Sequence, residues 1–159
     1  MRIKDSKIGQ KPTDELNKLL ENMKPGELDE YLEENQEYIA GTDRSFYEYM
    51  KTTIRSKGIM LKDLYQFAGF SESYGSQLLC GKKHTTDRDM IIRLCLAGHF
   101  TWDEMNRALK LYGFSELYAK EPRDACLIVQ INNRVYDIYQ INDELAKRGL
   151  ELLSPGTET

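Results

Sequence analysis

The chain has 159 residues, 40% of them hydrophobic and 30% charged, with four prolines, the composition of an ordinary globular helical protein with room for one or two small cores. Its longest uninterrupted apolar stretch, Ala125–Val129, falls far short of the roughly 20 residues that span a bilayer, and the basic opening residues lead into no apolar run of the secretory kind. Three cysteines (Cys80, Cys95 and Cys126), odd in number and loosely spaced, fit a reduced cytoplasmic protein better than a disulfide scaffold.

Before Gly41 the chain reads as two short helices, Asp14–Met23 and Glu27–Ile39, broken by Pro25-Gly26, with Thr13 able to cap the first. Their apolar positions (Leu16, Leu19, Leu20 and Met23, then Leu28, Tyr31, Leu32 and Ile39) are too sparse for a core of their own. Residues 1–42 are therefore expected to form an acidic helical arm, either laid on the main domain or serving as a detachable interaction segment. Residues 13–38 carry nine acidic side chains against Lys18 and Lys24, a net of −7, whereas residues 43–86 and 1–12 each carry +3. The overall charge of −4 thus conceals a basic middle segment and does not exclude a polyanionic partner.

Ser45-x-x-Glu48 has the form of a capping box, followed by Phe46, Met50 and Ile54 on one helical face and a stop at Gly58. A second helix is expected over Leu61–Ala68, with Leu64 and Ala68 inward and Gly69 at its end. A third is capped by Ser71 and runs to Gly81, with Glu72 favourably placed in its first turn. The polar run Lys82-Lys83-His84-Thr85-Thr86 leads to a fourth helix, Arg88–Ala97. That helix is apolar on several faces (Met90, Ile91, Ile92, Leu94, Cys95, Leu96) and so belongs at the centre of the core. Thr101-x-x-Glu104, another capping box, opens a fifth helix that ends at Gly113.

The last third echoes what precedes it. Arg88-Asp89, Met105-Asn106, Leu109 and Gly113-Phe114 recur as Arg123-Asp124, Ile141-Asn142, Leu145 and Gly149-Leu150, offset by 35 residues and then 36 after one insertion. A second helical hairpin over 119–153 follows, with Pro122 in a first helical turn and Asp137-x-x-Gln140 as a capping pair. Chance likeness of two amphipathic hairpins is the alternative. Leu127, Ile128, Ile131, Ile138, Ile141 and Leu145 exceed what one small helix pair hides, which makes this hairpin the expected surface for a homodimer or a protein partner. Residues 154–159 read as a loose polar tail.

Two helices joined by a short Gly-containing turn form a helix-turn-helix unit. The segment from Leu64 to Lys83 resembles the lambda-repressor/Cro family (xenobiotic response element type), with Leu64, Gly69, Phe70, Ser71, Leu78, Gly81 and Lys82 matching in register over a region of about 70 residues with its flanking helices. The resemblance implies an all-α fold: a lambda-repressor-like helix-turn-helix core over residues 43–118, flanked by the N-terminal helical arm and the C-terminal hairpin. Three positions depart from the family. Tyr65 stands where a small Ala is usual and Gly75 where Val or Ile is usual, and in the family fold these two positions face each other, so volume is exchanged between them. Leu61 replaces a Gln that often reaches a phosphate.

The resemblance implies sequence-specific binding of double-stranded DNA by a transcriptional regulator. Ser71, Glu72, Ser73, Ser76 and Gln77 would lie on the recognition helix, with Gln77 suited to an adenine edge. Lys82, Lys83 and His84, with Arg55, Lys57 and Lys62, would hold phosphates. The helix lacks an arginine for guanine, and Glu72 repels phosphate, so a protein-interaction adaptor on the same scaffold stays open as the alternative. Cys80-x3-His84 and Cys95-x3-His99 do not match zinc-ligand spacing, and the carboxylate pairs Asp87/Asp89 and Asp103/Glu104 sit at helix starts, where capping accounts for them. No phosphate-binding loop follows a strand and no nucleophile is placed with a base. Neither an enzyme nor a cofactor is expected.

Overall fold

The computed structural model describes residues 43–156 and the single helical position Glu21, so the helices expected before Gly41 otherwise lie outside the described residues. Seven helices follow, with no strand among the described residues: α1 (Asp43–Ser56), α2 (Leu61–Ala68), α3 (Glu72–Cys80), α4 (Arg88–Ala97), α5 (Trp102–Tyr112), α6 (Pro122–Asn132) and α7 (Ile138–Lys147). None is long and apolar enough to cross a membrane.

The predicted inward face of α1 is buried at Phe46, Met50 and Ile54. The helix begins at Asp43, however, so Ser45 is already helical and cannot act as the N-cap, a position that requires non-helical backbone. Gly69 closes α2 in the left-handed region (φ 81°), and the Phe70 N–H reaches back to Tyr65 O at 2.9 Å, the long-range bond that ties off a helix with a glycine after it. Ser71 caps α3 by accepting from Tyr74 N at 3.1 Å. Thr101 and Glu104 complete a reciprocal capping box on α5. Pro122 occupies the first position of α6, and Asp137 caps α7 by accepting from Tyr139 N.

Every residue of α4 from Asp89 to Ala97 is buried, and the helix packs against both α2 and α5. One continuous core runs from Phe46 to Leu153. It contains Leu127, Ile128, Ile131, Ile138, Ile141 and Leu145, none more than 7% exposed, so the surplus apolar surface expected on the C-terminal hairpin is covered within the chain. A helix pair judged alone overstates its exposed area, because here the pair shares its core with α4 and α5.

The 35–36-residue echo in the sequence is an echo in hydrogen bonds. Arg88 makes a two-pronged pair with Asp124 (3.0 and 3.0 Å), and Arg123 makes the same pair with Asp89 (3.1 and 2.7 Å). Arg88 also donates to Ser115 O and Glu116 O, and Arg123 to Glu151 O and Leu152 O. Asn106 Oδ1 accepts from Leu117 N, and Asn142 Oδ1 from Leu153 N. Tyr118 N donates to Asp124, and Ser154 N to Asp89. Even the backbone repeats, with left-handed His99 (φ 57°) and Arg134 (φ 60°) following α4 and α6, so the inserted residue falls between Val135 and the Asp137 cap. Each hairpin thus places its arginine on the other's aspartate, the reciprocity of a two-fold contact that closes on itself.

Burial acts to raise the Asp89 carboxyl, but hydrogen bonds from Arg123 and from Ser154 outweigh it and hold Asp89 below the usual carboxylate range. The same contacts overturn the expectation of a loose tail for its first residues. Ser154 donates its N–H and hydroxyl to Asp89 Oδ2 at 2.9 and 3.1 Å, and its carbonyl accepts from Arg93 Nε at 2.7 Å. Arg93 donates in turn to Ala68 O at 3.0 Å, and Gly156 lies directly against the Gly69 backbone, where a Cβ would clash. Hydrogen bonds of Ser154 to these charged groups are stronger than bonds between neutral partners.

Candidate nucleic-acid interface

α3 packs on α2 through one close contact. Tyr65 is 6% exposed and lies across Gly75 as expected: a Cβ on Gly75 would stand 2.7 Å from Tyr65 Cγ and 2.9 Å from Cε1. Phe70 and Tyr74 add an edge-to-face contact at 5.0 Å beside the turn.

With Gly75, Leu78 and Leu79 turned inward, the outer face of α3 holds Glu72, Ser73, Ser76 and Cys80 exposed and Gln77 half-buried. Gln77 Nε2 donates to Ser73 Oγ at 3.4 Å, one helical turn away, so two of the expected base-reading side chains are already linked. Ser71 spends its oxygen lone pair on the α3 cap. Glu72 is the acidic group in the first turn.

The loop after α3 is held from several sides. Lys83 N donates to Gln77 O at 3.1 Å, and the Lys83 ammonium lies 5.8 Å from the Tyr74 ring centroid, a cation–π distance. Tyr112 of α5 accepts from Thr85 N at 2.9 Å, and its hydroxyl stands 2.9 Å from His84 Nδ1, the two rings stacked at 4.8 Å. Thr85 Oγ1 then accepts from Asp87 N. Lys82, Lys83 and His84 remain exposed on this anchored loop, and Lys62 is exposed in the first turn of α2.

One expected phosphate ligand is differently employed: Lys57 pairs with Glu104 at 2.7 Å. Burial acts to raise the Glu104 carboxyl, but Lys57 and the Thr101 N–H outweigh it and lower it. Tyr112, which fixes the loop, carries no local signal in the sequence, since it stands 27 residues beyond Thr85. The two Cys-x3-His spacings assemble nothing: Cys95 is fully buried, and His99 stacks on Tyr136 at 4.6 Å beyond α4. Among the described residues, no three His, Cys, Asp or Glu side chains converge as metal ligands would. The chain matches no known protein-family model, no curated protein and no solved structure.

Proposed function

We propose that the chain binds double-stranded DNA as a helix-turn-helix regulator, with α3 entering the major groove. The observation that carries this reading is the anchored loop beside α3. Lys82, Lys83 and His84 are presented on a backbone pinned by Tyr112 and Gln77, so little ordering entropy remains to be lost when they meet phosphates. In this reading Ser73, Ser76 and Gln77 face base edges. Ser71 and Glu72 lie at the groove entrance, where Glu72 must meet a cytosine amino group rather than a phosphate, and Lys62 grips the backbone from α2. Recognition of an inverted repeat pairs two chains. On the C-terminal hairpin the apolar side chains left for a partner to cover are Val129, Tyr139 and Leu152.

Salt-dependent titration of pooled genomic fragments, followed by fluorescence anisotropy, tests the reading. The logarithm of affinity should fall linearly with the logarithm of salt, and Lys82→Ala with Lys83→Ala should flatten that slope by about one unit per lost contact. Gln77→Ala should relax sequence preference while leaving the slope alone. An adaptor role on the same scaffold is favoured by Glu72 and by the absence of arginine from α3. Failure of any salt-sensitive binding at low ionic strength leaves that role standing.

A further inference from the structure

We infer that the cationic surface around Lys82–His84 is the docking site of this chain's own acidic segment, residues 13–38. The inference concerns the lysines of the proposed interface but stands whether or not they contact DNA. The start of α1, where the acidic segment joins the described domain, lies against the lysine loop. Tyr47 packs on Gly81 so closely that a Cβ there would stand 3.0 Å from Tyr47 Cε2. Phe46 meets the Tyr112 ring at 4.7 Å, and the hydroxyl of that same tyrosine sits at His84 and Thr85. On α1, Lys51 and Arg55 are exposed and follow Tyr47 at intervals of four, the spacing that puts them on the same helix face as Tyr47.

Residues 13–38 carry −7, and only residues 39–42 separate them from Asp43. That connection spans at most about 18 Å when fully extended. A tethered segment of opposite charge is held at an effective concentration on the order of millimolar, and its attraction to several exposed cations at once needs no tight individual pair. The occupant is therefore argued from sign, number and attachment point. A polyanion that binds the same lysines must displace it.

The full-length chain tests this without any nucleic acid. Neutralising the segment with Glu27→Gln, Asp29→Asn, Glu30→Gln, Glu33→Gln and Glu34→Gln should expose the lysines. In about 0.01 M salt, where charges act over roughly 30 Å, acylation of Lys82 and Lys83 relative to exposed Lys120 should rise about threefold or more. The difference should vanish near 1 M salt, where the screening length is roughly 3 Å. In the parent chain, carbodiimide should join Lys82 or Lys83 to a carboxylate of residues 13–38 within one molecule. Unchanged acylation, no such intrachain link, links only between two chains, or equal coupling to Lys120 would each overturn the inference. These readouts do not depend on DNA, so failure of the DNA-binding reading leaves them intact.

Discussion

Gly75→Ala is a substitution whose sign depends on a single neighbour. In an isolated helix, replacing glycine by alanine is worth about 1 kcal/mol in favour of folding. Here the new methyl would stand 2.7 Å from Tyr65 Cγ, the root of the ring, and 2.9 Å from Cε1, and the residue is 6% exposed and cannot swing aside cheaply. Overpacking of this kind costs about 1–3 kcal/mol, so a net loss of about 1 kcal/mol is expected. Tyr65→Ala alone removes a buried ring and should cost about 3 kcal/mol or more. In that background the methyl enters vacated space and Gly75→Ala should stabilise by about 1 kcal/mol. The coupling of about 2 kcal/mol exceeds the roughly 0.5 kcal/mol of independent sites. Urea melts of the parent, both single variants and the double variant give the cycle, with unchanged m-values as the check that the unfolded state is not responsible. Additive effects, or a stabilising Gly75→Ala in the parent, would refute the contact and with it the packing of α3 on α2.

Asp89→Ala strands Arg123 (side chain 13% exposed) and releases Ser154, and should cost about 3–5 kcal/mol, as when one partner of a buried ion pair is removed; a melt within 1 kcal/mol of the parent would contradict the reciprocal clamp. Because Asp89 is held below its ordinary range, its contribution is present above the unfolded-state value near about 4 and is lost as pH falls through the folded value. Stability should therefore drop less steeply below about pH 4 in Asp89→Asn than in the parent. Tyr112→Phe deletes the hydroxyl that accepts from Thr85 N, at a stability cost of about 1 kcal/mol, and on the proposed DNA-binding reading it should weaken DNA affinity through a loosened lysine loop. Equal affinity in that variant would separate loop anchoring from binding.

The all-helical class, most helix bounds and the inward face of α1 follow from sequence alone, because caps, glycines after helices and 3.6-residue periodicity are local. The repeat of hairpins was also legible, as Arg-Asp followed by Asn at a fixed offset, although nothing in that pattern says each arginine crosses to the other hairpin's aspartate. Tyr65 opposite Gly75 could be anticipated only because two departures from a resembled family compensate in volume. The tertiary structure alone decided that Tyr112 fixes the loop carrying Lys82–His84, that Lys57 is drawn off by Glu104, and that Ser154–Gly156 lie fixed against Asp89, Arg93 and Gly69. It also buried the apolar surplus of the C-terminal hairpin in a core shared with α4 and α5. Those contacts join residues 27 to 87 apart, and a linear pattern records which side chains want burial or a partner, not which distant surface folds back to supply it.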